Sequence, residues 1–231
     1  MNINDLLKGY HEDPNHQKQS EEIEAAMVKR REQIKIVEHD FIAAWRSHGF
    51  PEIESTGDIK DLKKRLDVEQ VEFILKWLPK IVDTLGSRDF LVRALILAAK
   101  PFDGRVFTEL FDDPDSSFHL KWAIGNTIDS TRVLNITQWL RSKFESLSLG
   151  KEKEMLVSAL PKYLDTEEAK DYLLKIFDHY PLHAADALAK IGNRSDLEFI
   201  LNKLAFYKGP GRASINKSVK KLEKRLLKSG L

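Results

Sequence analysis

The sequence predicts an all-α protein built from repeated helix pairs, and three observations support this class. A near-repeating heptapeptide closes an apolar helix pattern four times, and its final Asp or Asn recurs at offsets of 26, 36 and 28 residues. Apolar residues recur at helical spacing along most of the chain, and no segment shows the sustained alternation that strands need. A recurring supersecondary unit is typical of a solenoid, in which each unit covers its neighbour's apolar face. The four copies are LAAKPFD (97–103), AIGNTID (123–129), ALPKYLD (159–165) and ALAKIGN (187–193).

The N-terminal part is predicted to contain an arm and a helical cap. Residues 1–19 are polar, and we expect them to form a flexible arm. Ser20 stands where a helix N-cap is expected, with three glutamates in the following turn, so the first helix is predicted to begin there. Its apolar stripe runs from Ile23 to Trp45, and a short helix completes an N-terminal helical cap over 20–66.

The repeats are predicted to occupy residues 67–207. The first helix of this region contains Pro79, which is expected to kink or split it. Gly86 is placed as a helix C-cap. Four helix pairs follow, predicted at 88–100 with 104–112, 117–128 with 131–147, 151–164 with 166–179, and 182–191 with 195–206.

The C-terminal segment, 208–231, is predicted to form a basic helix at about 213–228. Between Lys208 and Lys228 there are eight Lys or Arg residues against the single Glu223. An apolar stripe on this helix favours a capping role that closes the last repeat. Its lysines leave open a second interpretation, contact with a phosphate backbone or an acidic membrane surface.

Composition restricts the class of protein. The 231 residues carry a formal net charge of +1, which removes the simplest argument for a nucleic-acid-binding domain. The chain has no cysteine, so it has neither disulfides nor thiol chemistry. No apolar run approaches the roughly 20 residues of a membrane helix, and the polar N-terminus lacks the core of a signal peptide. We therefore expect a cytoplasmic protein that does not associate with membranes.

Two segments resemble bacterial HEAT-like repeats. One is Asp112-Asp113-Pro114-Asp115 before a helix ending in Ala123-Ile124-Gly125, and the other is AADALAKIGN at 184–193. HEAT-like repeats place an Asp-Pro turn before the inner helix and a small-residue Ile-Gly-Asp signature at its end. The resemblance covers about 88–207, although the third unit has Pro161 where Gly or Ala is expected. It implies a right-handed α-solenoid of HEAT-like helix pairs, and a protein that serves as a scaffold or binding module rather than an enzyme.

The inner helices are predicted to share a polar face. Positions four before, one before and three after the start of each heptapeptide lie on one side of a helix, and in a solenoid such sides adjoin to form the concave binding surface. We call this predicted set the inner-helix face. Trp122 is its expected anchor, because tryptophan offers a large contact area and an indole donor. The alternative is that these are solvated helix sides, with Trp122 tucked between repeats. The candidate partner-binding residues are Arg93, Lys100, His119, Trp122, Asn126, Lys162, His183, Asp186 and Lys190.

No catalytic or cofactor site is predicted. His179, His183 and Asp186 have metal-like spacing, but Pro181 should end the helix that carries His179, so no metal site is assigned. The chain has no Gly-x-Ser-x-Gly motif and no cysteine nucleophile. We expect neither a cofactor nor an enzymatic activity.

Two functions are therefore weighed. The first is a non-enzymatic scaffold, or an inhibitor or immunity-type protein, that holds a protein partner on the inner-helix face with a bias toward acidic segments. The alternative is a nucleic-acid-binding protein similar to the HEAT-like DNA glycosylases, although their catalytic Asp with its flanking aromatic residues is not recognisable here.

Overall fold

The computed structural model describes residues 14–62, 64–82, 86–145 and 149–229, and this part of the chain is mostly helical. The all-α class is confirmed. The α-helices are α1 (Pro14–Ser47), α2 (Val68–Trp77), α3 (Ser87–Ala94), α4 (Arg105–Asp112), α5 (Phe118–Ser130), α6 (Thr137–Glu145), α7 (Glu154–Tyr163), α8 (Thr166–Ile176), α9 (Pro181–Ile191), α10 (Arg194–Phe206) and α11 (Arg212–Ser229). The 3₁₀ helices are Thr56–Leu62, Leu95–Leu97 and Lys151–Lys153, and the strands are β1 (Phe102–Asp103) and β2 (Val133–Leu134).

The recurring Asp or Asn is a helix-capping residue in two of the heptapeptides. Asp165 accepts a hydrogen bond from the Glu168 amide at 2.9 Å and begins α8. Asn193 forms a reciprocal capping box with Asp196 and begins α10. A side-chain oxygen at this position satisfies an amide that has no partner within the helix. The repeated residue therefore marks the boundary between the two helices of a pair.

Alternate helices pack against one another in a row. Helix α3 contacts α5, α5 contacts α7, α7 contacts α9, and α9 contacts α11. The other helices pack against this row. Helix α4 contacts α5, and α6 contacts α7. Helix α8 contacts both α7 and α9, and α10 contacts α11. A single cluster of buried apolar side chains continues from Phe41 to Leu226. Each helix of the row is therefore covered by its neighbours.

Gly125 allows one of these close approaches. A Cβ atom at this position would lie 2.8 Å from the Cβ of Met155 and 3.3 Å from the amide nitrogen of Leu156. Both are atoms that cannot rotate away, so α5 and α7 can adopt this separation only because residue 125 has no side chain.

Short parallel pairings join successive units, although no strand was predicted. Strands β1 and β2 pair Phe102 with Val133. Leu66 forms an isolated parallel bridge to Ala98, with its amide 2.9 Å from the carbonyl oxygen of Leu97. Helix α3 also packs against the 3₁₀ helix 56–62. The N-terminal cap is thus continuous with the helix row.

Helix α1 begins earlier than predicted. It starts at Pro14 rather than Ser20, so the last six residues of the predicted arm are helical, and 1–13 lie outside the described residues. Its C-terminal half joins the core, where the rings of Phe41 and Phe73 lie 5.5 Å apart. The buried Glu38 carboxylate accepts hydrogen bonds from the amide of Thr56 at 2.7 Å and from its hydroxyl at 2.6 Å.

Four local predictions differ from the structure. Helix α2 ends at Trp77, two residues before Pro79, whereas a longer helix kinked or split at Pro79 was predicted. The helix predicted at 88–100 ends at Ala94 and a 3₁₀ helix follows to Leu97, so Lys100 lies beyond the helix that was predicted to carry it. Gly86 is not a C-cap but precedes α3 with φ +85°, a backbone conformation that favours glycine. Helix α6 begins at Thr137 rather than 131, because β2 takes the intervening residues into its pairing with β1.

Candidate functional site

The first contact across the predicted inner-helix face joins α3 and α5. The guanidinium carbon of Arg93 lies 5.2 Å from the ring centroid of Trp122, in a cation–π arrangement. The same guanidinium binds both oxygens of Asp89, at 2.6 and 3.0 Å. Trp122 is half-buried. Its side chain is therefore neither fully exposed nor fully buried between neighbouring helices.

The second contact joins α7 and α9. The Nδ1 atom of His183 lies 3.2 Å from the hydroxyl oxygen of Ser158. Its Nε2 atom lies 3.9 Å from a carboxylate oxygen of Glu154, which is one helical turn before Ser158. The predicted face residues Ser158 of α7 and His183 of α9 therefore lie next to each other.

The third group of contacts is an ion-pair network centred on Asp186. Lys221 of α11 lies 2.8 Å from one oxygen of Asp186, and Lys190 lies 3.6 Å from the other. Although burial acts to raise the pKa of Asp186, the hydrogen bond from Lys221 and the two ammonium charges lower it below its usual value. Lys190 also lies 3.9 Å from Asp129 of α5, on the other side of α7.

Lys162 caps the preceding inner helix. Its Nζ atom donates to the carbonyl oxygens of Thr131 at 3.1 Å and Ile128 at 3.3 Å, and also to that of Asp129. Burial lowers the pKa of its ammonium group. The adjacent Tyr163 hydroxyl lies 3.2 Å from two of these oxygens. Lys162 therefore binds the backbone of its own chain, as cations favour helix C-termini.

The remaining predicted residues are accessible. Lys100 and His119 are exposed, and Asn126 is half-buried. Within the described ranges, Lys100 has no carboxylate at ion-pair distance. Because Arg93 and Lys190 are paired with carboxylates and Lys162 with carbonyls, the face carries much less free positive charge than the sequence suggests.

Helix α11 packs against the last helices through an apolar stripe and carries exposed lysines on its other side. Its apolar stripe, Ile215, Val219, Leu222 and Leu226, is buried as the capping interpretation requires. Arg225 donates to the carbonyls of Ala189 and Gly192 at the end of α9. Four lysines on its solvent side are exposed, and none has a carboxylate at ion-pair distance in the part of the chain that the structure describes. They are Lys217, Lys220, Lys224 and Lys228.

The described residues contain no group of three His, Asp or Glu side chains arranged to hold a metal ion. Helix α8 ends at Ile176, before His179, and Pro181 begins α9, which carries His183. The two histidines are therefore not on one helix, although Pro181 starts a helix rather than ending the one predicted to carry His179. None of the described helices is long and apolar enough to cross a membrane.

The chain matches no protein-family model, no curated protein and no solved structure.

Three residues on the face were missed by sequence reasoning. Lys221 belongs to a helix predicted only to cap the repeats, yet it reaches Asp186, 35 residues earlier. Glu154 and Asp129 are each one turn from a predicted position, so extending the same helical spacing by one step would have included them.

Proposed function

We propose that this protein is a non-catalytic binding module that holds a protein partner on the inner-helix face. The observation that carries the proposal is the lateral contact between face residues of neighbouring helices, from Arg93–Trp122 to Ser158–His183 to Asp186–Lys221. Lys162 links α7 to the end of α5, so these contacts together join face residues from α3 to α11. A row of polar contacts that includes a half-buried tryptophan supports a recognition site.

We further propose that the helix row is a right-handed α-solenoid of HEAT-like pairs whose inner-helix face is concave. The ion pair between Asp129 and Lys190 supports curvature toward this side, because it brings α5 and α9 together in front of α7. A concave surface of this kind is what solenoid proteins use for binding. The site would then act in the cytoplasm, as a scaffold or an inhibitor.

Shape and the aromatic anchor, rather than charge, are proposed to select the partner. The cations of the face are largely neutralised within the chain, and Lys100 remains the exposed one without a carboxylate partner among the described residues. A preference for partners with acidic segments would depend on Lys100, so we expect this preference to be weak.

A photo-crosslinking amino acid tests this proposal. It is placed at His119, which is exposed on α5, and in a matched control at Glu198, which is exposed on α10. After irradiation in nuclease-treated lysate of the source cell, we expect one stoichiometric protein adduct from position 119 and none from 198. Equal adducts from both positions, or none from 119, would contradict the proposal.

Polyanion binding is a second candidate, favoured by the unpaired lysines of α11. Because phosphate contacts release counterions, binding of duplex DNA through these lysines would weaken steeply with salt. Fluorescence anisotropy with labelled duplex at low and moderate salt tests it. A quadruple Lys217, Lys220, Lys224 and Lys228→Gln variant should abolish the signal, while the absence of binding at low salt would exclude this candidate.

A further inference from the structure

The N-terminal half of α1 carries an apolar stripe that nothing in the described chain covers. Ile23 and Met27 are 55% and 50% exposed, although they continue the stripe that buries Phe41 and Trp45. Residues 18–33 are all exposed. A helix of this amphipathic pattern normally gains its stability by packing the stripe against another element.

Charge is distributed unevenly along this same segment. Glu21, Glu22 and Glu24 stand in one turn, whereas Lys29, Arg30 and Arg31 stand about two turns later and are followed by Glu32. A second copy laid antiparallel brings the acidic turn of each helix beside the basic turn of the other. A parallel copy opposes like charges at both ends, which is unfavourable.

We propose that residues 18–36 of α1 form an antiparallel helix pair with the same segment of a second copy of this chain. Under two-fold symmetry every contact occurs twice. Placing Ile23 opposite Ile34 of the second copy centres the pair between Val28 and Lys29, close to Met27, over about 28 Å of helix. In this register Glu24 lies beside Arg31 of the other chain, at the edge of the apolar contact line between the two helices, which we call the seam. Charges at such edge positions determine which helices pair and in which orientation.

The basic turn of α1 is open to solvent on one side. A cleft of about 510 Å³ lies between α1 and the turn at 54–58, and its lining on α1 is mostly charged and includes Arg31. In the proposed register the first turns of the second copy, near residue 20, would end beside Val37, because beyond it Phe41 is already covered by α2.

Charge exchange provides the decisive experiment. Each variant is studied by sedimentation equilibrium as the full chain. The wild type is expected to have twice the mass of one chain. Glu24→Arg and Arg31→Glu should each be monomeric, because each opposes like charges twice. An equimolar mixture of the two should form a heterodimer, because both pairs are then opposite in sign. Since Glu24 and Arg31 are exposed, the fold should remain intact.

Two matched variants distinguish loss of the apolar contact between the two helices from a general effect of placing a charge on α1. Ile23→Glu lies on the stripe and should give a monomer. Ile36→Glu lies on the far side of α1, where Ile36 is 77% exposed, and should leave the dimer unchanged. Circular dichroism should show that Ile36→Glu keeps the helix content of the wild type. In Ile23→Glu any loss should be confined to the exposed N-terminal turns of α1, and thermal unfolding should show that the core remains folded.

The absence of cysteine allows orientation to be measured. A single Met27→Cys substitution lies near the two-fold axis and should form an interchain disulfide on mild oxidation. Ser20→Cys should not, because antiparallel pairing separates the two copies of residue 20 by about 25 Å. A monomeric wild type, crosslinking through residue 20, or failure of the mixed charge variants to associate would overturn the proposal. None of these results depends on the inner-helix face.

Discussion

The ammonium group of Lys162 lies 3.1 Å from the carbonyl oxygen of Thr131, one helix pair earlier in the chain. It also donates to two further carbonyls at the end of α5. A cation on a helix C-terminus satisfies acceptors that have no partner within the helix. A residue predicted to bind a partner is thus engaged in joining two units of this protein.

Replacement of Lys162 should therefore reduce stability. In Lys162→Met the aliphatic stem is retained, but the carbonyl of Asp129 loses this donor, while Tyr163 still reaches the other two. We expect a loss of about 1–2 kcal/mol in the free energy of unfolding, measured by urea denaturation. Lys100→Met, at an exposed position, is the control and should change stability by less than about 0.5 kcal/mol. Equal effects would show that the cap contributes nothing.

Gly125→Ala should destabilise the contact between α5 and α7. The added methyl would lie 2.8 Å from the Met155 Cβ, so the helices must separate. The gain in helix propensity, about 1 kcal/mol, offsets part of an overpacking cost of about 1–3 kcal/mol. We expect a net loss of about 1 kcal/mol by thermal or urea unfolding.

The control for this variant is Gly57→Ala. A Cβ at residue 57 would lie 3.5 Å from its nearest neighbour, an ordinary contact, so its effect should be smaller. A Gly125→Ala protein as stable as the wild type would mean that the two helices are not held at this separation.

Acid should remove the contribution of the Asp186 network. The lysines hold the pKa of folded Asp186 below its unfolded value of about 3.9. The contribution of the ionised Asp186 carboxylate to the free energy of unfolding is therefore fully present above the unfolded pKa. It is lost as pH falls through the folded pKa. Asp186→Asn should be less stable than the wild type at pH 7. The difference should begin to shrink below about pH 4 and vanish once the pH is below the folded pKa. A difference that persists unchanged at pH 3 would exclude the ionised carboxylate as its source.

The units of the fold were predictable because their signal is local. Asp165 and Asn193 recur in sequence since each caps the helix that follows it, a short-range requirement. The role of Lys162 was not predictable, because its acceptors lie about 31–34 residues earlier and charge patterns do not report such pairings. Similarly, the stripe containing Ile23 correctly predicted an amphipathic helix, but a stripe does not specify what covers it.

The candidate site was predictable in outline for a similar reason. Helical spacing placed Arg93, Trp122 and His183 on one side of their helices, and each contacts the neighbouring helix there. The electrostatics of the face were only partly predictable. The pairing of Lys190 with Asp186 follows from helical spacing, but Lys221 on Asp186 and Asp129 beside Lys190 come from other helices.

The measurement that tests the central claim most directly is the affinity of the crosslinked protein partner for three forms of this chain. Calorimetry would compare the wild type with Trp122→Ala on the inner-helix face and Glu198→Ala on α10. We expect Trp122→Ala to weaken binding at least about tenfold, or 1.4 kcal/mol, and Glu198→Ala to leave it unchanged. The unfolding transition of each variant must lie above the assay temperature. Unchanged affinity in folded Trp122→Ala, or an equal loss in Glu198→Ala, would contradict the assignment of the inner-helix face as the binding surface.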